Sequence, residues 1–213
     1  MTRPGIVGVA GAPATGKKTV GGKLAELVGC RHATVLELAS EMGLVLGYDE
    51  GSSEYLVDVD SMRSRMELEP PPGLCVLSGV LVPSALPESR ASLVAVLRAS
   101  PGILLRRYVE RGYGADKMRD NLLAEALGVT LDEALRIYGE KLVHEVDSTG
   151  RDPGSIAAEI YDVLAGSRPR SISRLDWLDL CERDEELRAL CFPELPDGLD
   201  RATAARSPGN RRS

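Results

Sequence analysis

The nine residues Gly11-Ala12-Pro13-Ala14-Thr15-Gly16-Lys17-Lys18-Thr19 follow directly on the apolar run Ile6-Val7-Gly8-Val9-Ala10. A turn bracketed by Gly11 and Gly16 can aim several backbone N–H groups at one point, and the helix N-terminus behind it adds partial positive charge. Lys17 reaches the β- and γ-phosphates as a point charge. The pattern points to the phosphates of a nucleoside triphosphate, where chemistry is mostly positioning and charge neutralisation. Gly11, Ala14, Gly16, Lys17, Lys18 and Thr19 are the candidate contacts. Lys18 occupies the position where the general motif has a Ser or Thr hydroxyl on Mg²⁺. A second ammonium there could stand in for the metal, repel it, or point into solvent. Thr19, one residue on, is left as the candidate metal ligand.

Arg111, before Gly112-Tyr113, is the second catalytic candidate beside Lys17 and also a ligand contact. A guanidinium fork suits phosphate oxygens, and a mobile segment would let it arrive on closure. Arg107 flanks the same segment, and Arg106 reads as part of a solvated helix face. Asp58 and Asp60 could line a pocket, though Asp60 reads equally as a helix cap. Asp147-Ser148-Thr149-Gly150 falls at the sheet edge where parallel α/β sheets bind ligands, and it also fits an ordinary polar turn. His144 reads as structural, and His32 has no partner visible.

These groups need a scaffold. The pattern predicts a strand over 5–10, a loop over 11–16 and a helix over 17–28, whose Val20, Leu24 and Leu27 recur at helical spacing. A strand near 33–36 and a helix over 37–43 follow. The segment 44–57 reads as loop, and a helix over 61–68 is expected with Asp60 as N-cap. Continuous apolar runs at 74–77 and 92–97 read as buried parallel strands. Helices at 102–111, 115–127 and 130–140, a strand at 143–146 and a helix at 154–165 with Pro153 in its first turn complete the alternation. That order implies an α/β three-layer sandwich around a parallel sheet.

The chain has 213 residues, a net charge of -6 and 43% hydrophobic residues, with one Trp and one Phe, so the core is aliphatic. The acidic balance argues against non-specific nucleic-acid binding by the bulk surface, though not against a local basic patch, and no direct sequence-specific nucleic-acid binding is expected. Cys30, Cys75, Cys181 and Cys191 show no Cys-x-x-Cys spacing, which argues against structural zinc and fits a reducing, cytoplasmic setting. No apolar run is long enough for a membrane span. Residues 167–173 read as a polar linker, 174–190 as a short amphipathic helix, and 201–213 as disordered.

The loop at 11–19 resembles the Gly-Thr-Pro-Gly-x-Gly-Lys-Thr-Thr loop of the CINAP-type adenylate kinases, the nuclear isoenzyme group and its archaeal relatives. Val57-Asp58-Val59-Asp60 with Arg63, Leu97-Arg98-Ala99-Ser100-Pro101 with Arg107, Arg111, Gly112 and Tyr113, then Lys117, Asn121, Ala124 and Glu125, and finally Asp147-Ser148-Thr149-Gly150 match that family in order. The likeness spans about residues 4–165. It implies an adenylate kinase-like P-loop NTPase fold over 1–165, a monophosphate-binding segment at about 34–58, a lid at about 111–121, and an extension over 166–213 with no counterpart. It also implies phosphoryl transfer between ATP and a nucleoside monophosphate, AMP above all, with Mg²⁺ as cofactor and ATPase activity beside it. A link to small ribosomal subunit maturation through a ribosomal protein of the S11 type is implied as well.

Against that family, Ala14 replaces a loop glycine, so its methyl either strains a left-handed backbone or crowds the phosphate. Ser78 and Val80 replace an Asp and a His after the strand at 74–77. Ser78 keeps a hydroxyl without charge, and Val80 can do no acid or base work. Two expectations therefore stand: a nucleoside monophosphate kinase or ATPase, or a catalytically impaired nucleotide-binding assembly factor that works through a ribosomal protein. A third makes the tail helix the interaction element on a kinase-fold scaffold.

Overall fold

The computed structural model describes residues 5–51 and 54–193. Its centre is a five-stranded, all-parallel sheet made of β1 (Ile6–Gly11), β2 (Arg31–Thr34), β5 (Leu74–Ser78), β6 (Ala91–Arg98) and β7 (Val143–Asp147), in the spatial order β2-β5-β1-β6-β7. Helix α1 (Lys17–Val28) follows β1, and α2 (Val35–Glu41) follows β2. Strands β3 (Val45–Asp49) and β4 (Glu54–Val57) lead to α3 (Val59–Leu68). The short α4 (Val82–Ala85) follows β5. Helices α5 (Pro101–Glu110), α6 (Ala115–Ala126) and α7 (Val129–Tyr138) join β6 to β7. Then come α8 (Pro153–Leu164), α9 (Leu178–Arg183) and α10 (Glu185–Cys191).

Strand alternation divides the core. Val7 and Val9 of β1 face α1 and α8 with Leu24, Ile156 and Ile160, whereas Ile6 and Ala10 face Leu38, Met62, Val82 and Leu131 on the other side. A third apolar cluster joins Leu104, Leu105 and Tyr108 of α5 to Leu122 and Ala126 of α6 and to Cys181, Leu187 and Cys191 of α9 and α10.

Four expectations are corrected. The segment 44–57 is not a loop: β3 and β4 pair antiparallel, Tyr48 opposite Tyr55 and Asp49 opposite Glu54. Asp60 does not cap α3. Asp58 does, its carboxylate accepting from Ser61 N at 3.0 Å, and Asp60 lies exposed in the first turn. The tail is two helices rather than one, broken at Asp184, whose carboxylate caps α10 through Leu187 N at 3.0 Å. The linker before it is tethered. Glu145 N donates to Ser171 O, Ser171 N to His144 Nδ1, and Arg174 N and Leu175 N to the Glu145 carboxylate. The fourth concerns cysteine: Cys30 and Cys75 are joined in a disulfide between the starts of β2 and β5, while Cys181 and Cys191 are free and buried. The expected disorder at 201–213 lies outside the described residues. Among the described residues no helix is long and apolar enough to cross a membrane.

Candidate active site

The loop after β1 is shaped by two different demands on glycine. A Cβ on Gly11 would stand 2.4 Å from Leu97 O at φ +142°, so only glycine lets the turn lie flush against β6. Gly11 lines neither of the two cavities beside the loop, and its reason is packing. Gly16 has φ +97°, and a methyl added there would meet nothing within 4 Å, so the space above it is open. Ala14 adopts φ 63°, which decides its reading in favour of strain. Its methyl is buried against Leu104, Leu105 and Tyr108, which offsets part of that cost. The strained turn is held from outside: Arg107 Nη1 donates to Ala14 O at 2.7 Å and the Tyr108 hydroxyl to Pro13 O at 3.0 Å.

The loop separates two cavities. One, of about 280 Å³, is walled by Ala14, Gly16, Thr19, Arg107, Arg111, Ser148 and Arg151. The other, of about 600 Å³, is walled by Pro13, Lys17, Lys18, Tyr55, Ser78, Val80, Asn121 and Glu133 among others. Of the expected contacts, Ala14, Gly16, Thr19 and Arg111 therefore meet on one side of the loop, and Lys17 and Lys18 on the other. Both cavities lie at the C-terminal ends of the parallel strands, where such sheets bind ligands. A larger hollow of about 1130 Å³, beside Pro70–Gly73 and the disulfide, opens at the opposite ends of the strands, away from the loop.

Lys17 Nζ donates to Ala12 O at 2.6 Å, and burial lowers its pKa to about 8, with Glu125 opposing the shift and Arg111 adding to it. Lys18 is pulled aside: Nζ meets Glu37 Oε1 at 2.8 Å, and the hydrogen bond from Lys18, helped by the Thr34 N–H, holds Glu37 down at about 2. Glu37 closes a reciprocal capping box with Thr34 at the start of α2. Ser78, at the end of β5, is 1% exposed, and its Oγ lies 2.8 Å from His32 Nε2. Val80 is 44% exposed on the rim. Lys117 of α6 bridges to Glu54 of β4 at 3.1 Å, joining the two segments that roof the larger cavity.

Behind the loop, Arg98 at the end of β6 is 1% exposed and holds Glu125 Oε1 at 2.7 Å, Glu145 Oε1 at 3.0 Å and Leu175 O at 3.4 Å. Burial pushes Glu125 upward against the pull of Arg98. The 147–150 turn braces the same corner: Ser148 Oγ donates to Arg98 O at 2.8 Å and Ser100 N to Thr149 Oγ1 at 2.9 Å.

The residue set fits a nucleotide's phosphates, through the open turn over Gly16, the Lys17 ammonium, and Thr19 and Arg111 on the cavity wall. Among the described residues no group of three His, Cys, Asp or Glu could cage a metal, and the strand end offers Ser78, paired with His32, rather than a carboxylate, so a Mg²⁺ here would be one carried in on the triphosphate, with the Thr19 hydroxyl as the protein's contribution. Thr19 lies across the loop from Ser78.

An AAA domain family model matches residues 7–128. Proteins named "Putative adenylate kinase" align over most of both chains. The Pyrococcus furiosus protein is 37% identical over 83% of this chain and 93% of its own, and that of Methanothermobacter thermautotrophicus is 40% identical over 81% and 99%. The Halobacterium salinarum relative is 35% identical over 81% and 98%. The chain belongs to this adenylate kinase-like family. Among solved structures, a gluconokinase from Sinorhizobium meliloti 1021 aligns with TM-score 0.49 at 20% identity over 77% of this chain and 93% of that one, too loosely to bear on function.

For an adenylate kinase-like chain, the walls also hold Ser148 of the 147–150 turn and Asn121 of the family-matching run, both named from sequence. Arg151 and Glu133 were not: Arg151 follows that turn, and Glu133 of α7 reaches the larger cavity through tertiary packing alone. His32, without a visible partner in sequence, finds Ser78 from 46 residues away.

Proposed function

We propose that this protein transfers the γ-phosphoryl group of ATP to a nucleoside monophosphate, AMP first, with hydrolysis as a side reaction. The single observation that carries this is the division of the site: one P-loop separates two cavities, with Gly16 and Thr19 on the wall of the smaller and Lys17 on that of the larger. A triphosphate whose α-phosphate end lies by Thr19, Arg107 and Arg111 would present its γ-phosphoryl past Lys17 to an acceptor in the Ser78 cavity. Lys17 and the turn amides neutralise developing charge, and Arg111 adds a guanidinium as the segment at about 111–121 closes. The β3–β4 hairpin lies within the segment assigned to monophosphate binding, about 34–58. The CINAP-type resemblance draws support from Gly16, Arg111 and Ser148 on the smaller cavity and Lys17 on the larger. A cytoplasmic setting belongs to the same reading, and the Cys30–Cys75 bond is the feature that asks for oxidised thiols there.

The test is calorimetric titration with ATP, then an ATP plus AMP to ADP assay on the same sample. Binding with ADP formation supports the reading. Binding without ADP formation favours the second one, a nucleotide-controlled assembly factor that docks a ribosomal protein of the S11 type. That second reading draws on one observation: both polar groups at the altered positions already have protein partners, Lys18 with Glu37 and Ser78 with His32.

A further inference from the structure

Ser78 and His32 form a pair that the transfer to a monophosphate does not use. A phosphate dianion attacks through an oxygen that carries no proton, so it needs no base. Water does, because its attack on phosphorus releases a proton. Ser78 is one of the residues that wall the 600 Å³ cavity also walled by Lys17, and its Oγ lies 2.8 Å from His32 Nε2. Burial lowers the imidazole below its usual pKa, with Glu37 opposing the shift and Lys18 adding to it, which favours the neutral ring that can accept a proton.

The helix beside the pair is shaped to admit it. A Cβ on Gly21 of α1 would stand 2.7 Å from His32 Nε2 and 3.3 Å from Ser78 Cβ. Glycine inside a helix costs about 1 kcal/mol relative to alanine, and at this position it makes the space in which imidazole and hydroxyl meet.

We propose that Ser78 and His32 form a proton relay that lets this site pass a phosphoryl group to water, the strand-end hydroxyl and imidazole together doing the work of a base. The inference rests on the proposed ATP site. Water oxygen bonds to the γ-phosphorus as the bond to the ADP oxygen breaks. The water proton passes to Ser78 Oγ, the Ser78 proton passes to His32 Nε2, and the imidazolium returns it to solvent. Ser78 is the group that touches the attacking water, and His32 is a positioning residue that acts through it. The charged groups facing His32 are Glu37 of α2 and Lys18 of α1.

The experiment measures ATP hydrolysis and transfer to AMP side by side from pH 5 to 9 in the full chain and in His32→Gln, with thermal melts to establish that the variant folds. Expected is a fall of about 100-fold in the ratio of hydrolysis to transfer, together with loss of a rise in hydrolysis whose midpoint lies below the ordinary imidazole range. Ser78→Ala, which leaves the imidazole in place, is expected to remove the same pH-dependent limb. An unchanged ratio, whether both rates hold or both fall, overturns the relay. A wild-type protein that binds ATP without hydrolysing it overturns the relay as well. Absence of transfer to AMP would sink the monophosphate reading, while the pH limb of hydrolysis would still decide the relay.

Discussion

Burial holds the Lys17 ammonium at about 8, close to neutral pH, with only a backbone carbonyl on it. A bound polyphosphate brings negative charge to that ammonium and restores its hold on the proton. Above pH 8 the ligand-free protein carries a growing share of neutral lysine, so binding must take up a proton and affinity falls as pH climbs through 8. Calorimetry at pH 9 in buffers of different ionisation enthalpy should register uptake approaching about one proton per site, and Lys17→Ala should abolish both binding and uptake. A buffer-independent heat would remove Lys17 from the phosphates. Arg111→Ala is expected to slow transfer more than it weakens ATP binding, because its guanidinium is exposed on the smaller cavity and engages on closure. Equal losses in rate and affinity would deny it that role. At Gly11 the sterics are harsher: Gly11→Ala should destabilise the domain by about 3 kcal/mol, summing strain and overpacking against Leu97 O, read as a shift in the urea midpoint.

Elements were legible where their own residues carried the signal. The runs Leu74–Leu77 and Leu93–Leu97 are continuous because parallel strands are covered on both faces, and they fell where expected. The β3–β4 hairpin was not legible. Gly47, Asp49 and Gly51 mark turns, and Leu46, Tyr48, Tyr55 and Leu56 all stand exposed, so no core-facing alternation identifies the strands. The Lys17 loop could be read to the residue from spacing, but which cavity each side chain faces could not. The His32–Ser78 pair and the Arg98 hub were hidden for the same reason: their partners lie tens of residues away, brought together only by strand order. The hub makes its own prediction. Arg98→Met leaves Glu125 and Glu145 buried without their cation, and the expected loss is about 3 to 5 kcal/mol. A loss under about 1 kcal/mol would mean the carboxylates had simply taken up protons.

At the scale of the whole molecule, the two ends of the sheet do different things. Both candidate cavities open at the C-terminal ends of the strands, and the Cys30–Cys75 bond lies at the other end. Reduction should therefore lower the melting temperature, by an amount corresponding to at most about 4 kcal/mol of chain entropy for a loop of this length, while leaving ATP affinity as it was. A parallel change in affinity would mean that the two ends communicate. The tail is no passive appendage. Removing residues 167–213 would uncover Leu104, Tyr108 and Leu122 and strip Glu145 of two backbone donors, so a deletion meant to probe partner binding would first weaken the fold.

That tether has a consequence for how the protein is made. Synthesis runs from the N-terminus, so the P-loop emerges well before residues 171–191. The outer half of the cluster behind Ala14 (Cys181, Leu187 and Cys191) and the Arg174 and Leu175 backbone groups used by Glu145 and Arg98 arrive only with residues 174–191. A nascent chain that stops short of them holds a complete nucleotide motif over an unfinished foundation. Completion of the native core is thereby deferred until residues 171–191 have been made, and a product lacking them would expose the apolar faces of α5 and α6.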